Sequence, residues 1–216
     1  MKKWIHTLAA AALAVTVSAA DSKPLYENNF VKAEINKVPE DMLVLDGAFA
    51  VKEEGGNKFI ELPGAPLETF GVLFGPTEAS GLDVSARIHG SGKGRRFPTF
   101  GVGLNGVGGY RFQVSPGKKA LELYKGDDLL TNAPFLWASD TWTVLRLQYW
   151  KTKDGEYRIE GRAWKQGDAE PKEPQITFMD KTETPAGRSS IWGNPFSGTA
   201  IRYDDLKVMR AEPGVR

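Results

Sequence analysis

Beyond residue 20 the chain never sustains a 3.6-residue apolar period. Apolar and polar side chains alternate in short runs, and glycine, proline, asparagine or aspartate closes nearly every run. A period of two marks a strand with one buried face, because successive side chains leave the pleat on opposite sides. Candidate strands fall at 43–45, 48–52, 58–62, 71–74, 82–88, 99–104, 110–114, 119–124, 143–150, 157–164, 176–178, 188–191 and 200–208. Turn signals such as Asp46-Gly47, Gly55-Gly56-Asn57, Asn105-Gly106, Gly126-Asp127 and Asp154-Gly155 stand between them. About a dozen short strands at roughly ten-residue spacing predict an all-β sandwich or barrel. No repeat and no linker divides residues 21–216, which are expected to form one domain with loose ends at 21–29 and 211–216.

Composition narrows the chemistry. A hydrophobic content of 41% supplies a core, so wholesale disorder is excluded. The chain has no cysteine, which excludes disulfides, thiolate metal sites, iron–sulfur clusters and cysteine nucleophiles. Lys2 and Lys3, the apolar run 9–17 and Ser18-Ala19-Ala20 have the layout of an export signal, with cleavage expected after Ala19 or Ala20. The apolar run is too short for a membrane span. Removing residues 1–20 takes away two lysines, no acid and His6. The formal net charge then moves from +1 to −1 and His89 is the one histidine left. Such a chain has no global basic field for nucleic acid, and it fits a bacterial periplasm or exterior.

The alternation assigns faces. Arg111 and Gln113 oppose Tyr110, Phe112 and Val114, and Glu122 and Tyr124 oppose Leu121 and Leu123. Arg146, Gln148 and Trp150 oppose Leu145, Leu147 and Tyr149. Arg158, Glu160, Arg162 and Trp164 oppose Tyr157, Ile159 and Ala163, and Gly101 and Gly103 oppose Phe100, Val102 and Leu104. Were these strands neighbours, Arg111, Gln113, Glu122, Tyr124, Arg146, Gln148, Trp150, Glu160, Arg162 and Trp164 would form one polar, aromatic surface. The glycines would let a ligand approach the backbone. Such a surface suits carbohydrate: Tyr124, Trp150 and Trp164 would stack on sugar rings while the others bind hydroxyls. The same pattern also describes an ordinary solvated sheet face with Arg/Glu pairs.

Other motifs carry less. Gly101-Val-Gly103-Leu-Asn-Gly106 fits GxGxxG but runs into another strand, so it reads as a hairpin. His89-Gly-Ser-Gly-Lys-Gly-Arg-Arg96 reads as a solvated basic hairpin loop, or as an anion-holding one. Asp204 and Asp205 are adjacent in a strand and should point to opposite faces. Each is a candidate loop brace or ligand for a hard cation such as calcium. The Glu-x-Asp-x-(x)-Glu spacing of laminarinase-type hydrolases is absent. A carboxylate pair from different strands, Glu122 with Glu160, is the remaining candidate for acid/base chemistry.

From Trp142-Thr-Val-Leu-Arg-Leu, through Tyr157-Arg-Ile-Glu-Gly-Arg-Ala-Trp and Ala186-Gly-Arg188, to the closing Tyr203-Asp-Asp-Leu-Lys-Val208, the chain resembles secreted bacterial jelly rolls of the concanavalin A-like lectin/glucanase superfamily. It is especially similar to the 3-keto-disaccharide hydrolase-like, or family 16 glycoside hydrolase-like, group. The resemblance implies a two-sheet antiparallel jelly-roll sandwich, a concave sheet face that binds glycan, and structural calcium at a rim. Three functions are expected to compete: a secreted carbohydrate-binding domain, a glycoside hydrolase acting on a di- or polysaccharide, and an envelope interaction protein, which would show a large exposed apolar patch.

Overall fold

The computed structural model describes residues 23–65 and 68–211. The proposed export segment lies outside them. The strands are β1 (Tyr26–Asn28), β2 (Leu43–Asp46), β3 (Ala50–Glu54), β4 (Asn57–Leu62), β5 (Phe70–Glu78), β6 (Leu82–Gly90), β7 (Thr99–Leu104) and β8 (Tyr110–Ser115). They continue with β9 (Ala120–Lys125), β10 (Asp128–Pro134), β11 (Thr141–Lys151), β12 (Tyr157–Lys165), β13 (Ile176–Asp180), β14 (Gly187–Asn194) and β15 (Ile201–Arg210). One 3-10 turn, Pro116–Lys118, joins β8 to β9.

These strands form two antiparallel sheets. The eight-stranded sheet runs β13-β12-β11-β6-β15-β4-β3, with β1 also paired to β15; the seven-stranded sheet runs β10-β9-β8-β7-β14-β5-β2. The apolar faces read from the alternation meet between the sheets, as a two-sheet sandwich requires. Leu145, Leu147, Tyr149 and Ile159 of the eight-stranded sheet are fully buried, and so are Phe112, Val114, Leu121 and Leu123 of the seven-stranded one. Each aliphatic or phenyl side chain sealed in this way contributes about 1.5–3 kcal/mol relative to exposure. The sheets approach closely at Gly161, where a Cβ would stand 2.7 Å from the Phe112 ring.

Polar ties cross the core. The Tyr110 hydroxyl donates to Asp180 at 2.7 Å, and Lys125 pairs with the same carboxylate at 2.7 Å. Fully buried Tyr203 on β15 donates to the main-chain carbonyl of Trp192 on β14 at 3.0 Å. A Cβ at Gly193 would come within 2.1 Å of that hydroxyl, so only glycine leaves room for the bond.

Three local expectations are corrected. Residues 26–28 are not a loose end: Tyr26 pairs with Val208, and Phe30 just beyond is fully buried. The alternation missed β10 because its sequence, DLLTNAP, is interrupted by a register shift between Leu129 and Thr131 and ends in proline. Segment 91–98 crosses from β6 in one sheet to β7 in the other and so does not join neighbouring strands, though Lys93 and Arg96 exchange both main-chain hydrogen bonds in a tight hairpin turn within it. The Gly101–Gly106 segment does form the β7–β8 hairpin.

Candidate ligand-binding face

The polar sides of β8 and β9 face outward from the seven-stranded sheet, and those of β11 and β12 face outward from the eight-stranded sheet. The ten candidate residues are therefore two sets on opposite sides of the sandwich. Arg111, Gln113, Glu122 and Tyr124 form one. Arg146, Gln148, Trp150, Glu160, Arg162 and Trp164 form the other. The single surface inferred from the alternation does not exist, because β11 pairs with β6 and β12 and never with β8 or β9. Glu122 and Glu160 are separated in the same way, so the two carboxylates cannot flank one glycosidic bond.

On the eight-stranded sheet the polar side chains satisfy one another. Arg146 binds Asp83 through Nη2 at 2.5 Å and Glu170 through Nη1 at 2.8 Å. Arg162 donates to Gln148 at 2.7 Å and to Glu160 at 3.0 Å, and Arg158 reaches Glu160 at 2.8 Å. Register explains the ladder. Arg146 stands opposite Arg162, and one step along Gln148 stands opposite Glu160 and Asp83, so basic and acidic rows alternate. Farther across, Phe59 is buried beneath Arg202, whose guanidinium carbon is 4.8 Å from its ring centroid.

Asp204 and Asp205 also lie on this side, and both contact Arg87, at 2.5 Å and 2.9 Å. A register shift between Asp204 and Lys207, with Asp205 at φ 50°, changes the phase of β15 and removes the expected opposition of the two side chains. Asp204 accepts from Asn57 at the start of β4 at 2.9 Å and from its neighbour's main-chain N–H at 2.7 Å, which is the brace role. The donor set does not fit calcium, since a guanidinium stands where the cation would. Among the described residues no group of three or more His, Asp or Glu side chains converges. His89 packs beside Trp142, 5.5 Å between ring centroids. Burial is the main cause holding its pKa below the ordinary imidazole value.

The seven-stranded sheet presents a different face. Pairing aligns Tyr124, Arg111, Gly103 and Ser190 in one row, and Glu122, Gln113, Gly101, Trp192 and Gly71 in the next. Trp192 thus has glycine on both flanking strands. A Cβ at Gly71 would lie 2.7 Å from the benzo edge of the indole, and one at Gly103 would lie 3.0 Å from Nε1. The ring lies down on this floor, and Nε1 donates to Ser190 Oγ at 2.7 Å. Gly71 and Gly103 lie against the indole and Gly101 against Phe112 O and Gln113, so these glycines make room for the protein's own groups and do not open the backbone to a ligand as expected. Sequence reasoning missed Trp192 because the candidate strand was closed at Ile191. The matching glycines at 71, 101 and 103 were the available signal.

Arg111 stands between two rings. Its guanidinium carbon is 5.0 Å from the Tyr124 centroid and 5.6 Å from that of Trp192. Its Nε is buried without a hydrogen-bond partner. Desolvation pulls its pKa below the ordinary guanidinium value, partly offset by Tyr124, Asp127 and Glu122. Beside it Glu122 is buried. Burial pushes that carboxyl up, but bonds from Lys118 (2.7 Å), Ser115 and Gln113 (3.0 Å) outweigh burial and hold it below its ordinary value.

Two adjoining depressions open on this face. One, of about 150 Å³, is bordered by Trp192, Arg111, Asn194 and Thr69; the other, of about 250 Å³, by Phe97, Phe196, Arg95 and Lys118. Thr99 and Gln113 border both, so the two adjoin, and together they are the trough of this face. Aromatic surface, side-chain amides and hydroxyls at one shallow surface match the chemistry of a sugar, with apolar ring faces and hydroxyl edges.

No family model matches the sequence, and no curated protein matches it. Solved structures do match. The fold is similar to the carbohydrate binding module CBM66 from Bacillus subtilis, with TM-score 0.54 and 10% identity over 78% of this chain and 94% of that one. It is similar to the marine PL-14 alginate lyase from Aplysia kurodai, with TM-score 0.60 and 7% identity over 88% of this chain and all (100%) of that one. It is similar as well to a legume lectin-like domain from Entamoeba histolytica, with TM-score 0.60 and 10% identity over 89% and 100% of the two chains. At such identities the likeness establishes the fold, a lectin-like antiparallel jelly roll. It does not single out the 3-keto-disaccharide hydrolase-like group.

Proposed function

We propose that the protein is an exported carbohydrate-binding jelly roll that takes a glycan in the trough on the outer face of its seven-stranded sheet. The observation that carries this reading is the indole of Trp192, laid flat on a glycine floor with Arg111, Gln113 and Asn194 around it. A partly buried ring held flat offers a stacking platform for a pyranose, and the rigid sheet beneath it keeps the ordering cost of binding low. The side-chain amide oxygen of Asn194, which borders the same depression, is buried without a partner, so a small opening of the rim would let it accept from a sugar hydroxyl. Fold neighbours named as a carbohydrate binding module, a lectin-like domain and an alginate lyase support the same reading.

The test is a glycan array probed with the wild-type chain and a Trp192→Ala variant whose folding is checked by its thermal transition. Binding of a glycan subset by the wild type, lost in the variant, is the expected result. No glycan bound by the folded wild type, or equal binding by the folded variant, overturns the reading. Export through residues 1–20 is checked by the mass of the protein recovered outside the cytoplasm, expected to begin at Ala20 or Asp21.

A further inference from the structure

The trough holds an uncompensated positive charge. Arg95, Arg111 and Lys118 border it against a single carboxylate, Glu122, in a chain whose overall formal charge is only +1. Glu122 is already committed: Oε1 pairs with Lys118, and Oε2 accepts from Gln113 and Ser115. The Arg111 side chain makes no ion pair and no hydrogen bond with any described residue, although it is half-buried and its Nε has no contact with water. Burying a guanidinium without an anion or an acceptor costs free energy, and a fold that keeps one on an open face has left its partner to come from outside. By contrast, Arg87, Arg146, Arg158, Arg162 and Arg202 each hold a carboxylate.

We infer that Arg111 is a carboxylate-binding subsite and that the glycan taken by this trough is acidic, carrying uronic acid residues. The inference rests on the proposed carbohydrate-binding function and adds the class of sugar. The rings of Tyr124 and Trp192 flank the guanidinium and fix its fork, leaving N–H groups free to take a planar two-oxygen group. A uronate satisfies the arrangement in one residue: its ring stacks on Trp192 while its carboxylate meets Arg111.

Binding of oligouronates (oligogalacturonate and alginate oligomers), of the same oligomers after carboxyl reduction to neutral sugars, and of dextran sulfate is measured by calorimetry at 0.15 M salt. The proteins compared are the wild type, Arg111→Gln and Arg111→Lys. The expected result is at least tenfold tighter binding of an oligouronate than of its reduced counterpart, a preference erased by Arg111→Gln and only partly kept by Arg111→Lys. Equal binding of acidic and reduced oligomers would overturn the acidic assignment while leaving the carbohydrate reading intact. A uronate preference that survives in Arg111→Gln would overturn the role of Arg111. Dextran sulfate bound as tightly as uronate, in wild type and Arg111→Gln alike, would replace a carboxylate site with diffuse charge attraction. Failure of the wild type to bind these oligomers or any array glycan would bring down the functional reading as well.

Discussion

The two outer faces of this sandwich carry similar residue types and use them in opposite ways. On the eight-stranded sheet each arginine of the central rows has a carboxylate within about 3 Å, and the ladder Arg146–Asp83, Arg162–Glu160 and Arg158–Glu160 closes on itself. On the seven-stranded sheet Arg111 has two aromatic rings and no anion, and Trp192 lies on bare backbone. A self-satisfied face gains little from a ligand, which would have to replace bonds already made. A face that leaves a guanidinium edge and an amide oxygen unspent gains the whole of a new bond. Composition cannot separate the two; the partner of each charge can.

The sharpest way to break this contrast is Trp192→Ala, which is expected to weaken glycan binding by about 2 kcal/mol or more, some thirtyfold in Kd. Trp150→Ala on the opposite face should change it less than about twofold. Calorimetry on both variants checks the pair. Gly71→Ala should follow in size. Its methyl would meet the indole at 2.7 Å and force the ring off the floor, which we expect to weaken binding about tenfold. Near-normal thermal stability would accompany the loss, and a shift in Trp192 fluorescence would report the displaced ring. Arg158→Gln removes one arm of the ladder at a partly exposed ion pair, and denaturant titration should register under about 1 kcal/mol with glycan affinity unchanged.

The smallest effect concerns acid. The folded state holds the Glu122 carboxyl below its ordinary value, so the stability this supplies is present above the unfolded-state pKa. It is lost as pH falls through the lower, folded value. Thermal stability should therefore hold from neutral pH down into the usual carboxylate range and decline below it. A pH series of thermal transitions on Glu122→Gln should lack that step.

Much of the fold was legible, because period-two alternation is a direct consequence of the pleat. Leu145, Leu147 and Tyr149, or Phe112 and Val114, declare their burial from sequence alone. Which strands lie side by side was not legible. Alternation says that Gln113 and Gln148 each face away from a core; it does not say that they face away from the same core in opposite directions. Half of the candidate surface was accordingly assigned to the wrong neighbours. The β15 bulge was hidden for a related reason. A one-residue change of phase at Asp205 depends on a left-handed backbone that aspartate tolerates but does not announce. Trp192 could have been found from three glycines that share a face with it, had the cross-strand order been known.

Tyr203 gives the arrangement a mechanical consequence. It is rooted in the sheet away from the trough, and its hydroxyl, the one polar atom of its side chain, grips the peptide carbonyl beneath the indole. The height at which the platform rides is thus set by the thickness of the sandwich. Changes that swell or thin the interior near Gly193 are expected to shift the indole, so that packing in the core and ligand preference on the proposed binding face would move one shared lever.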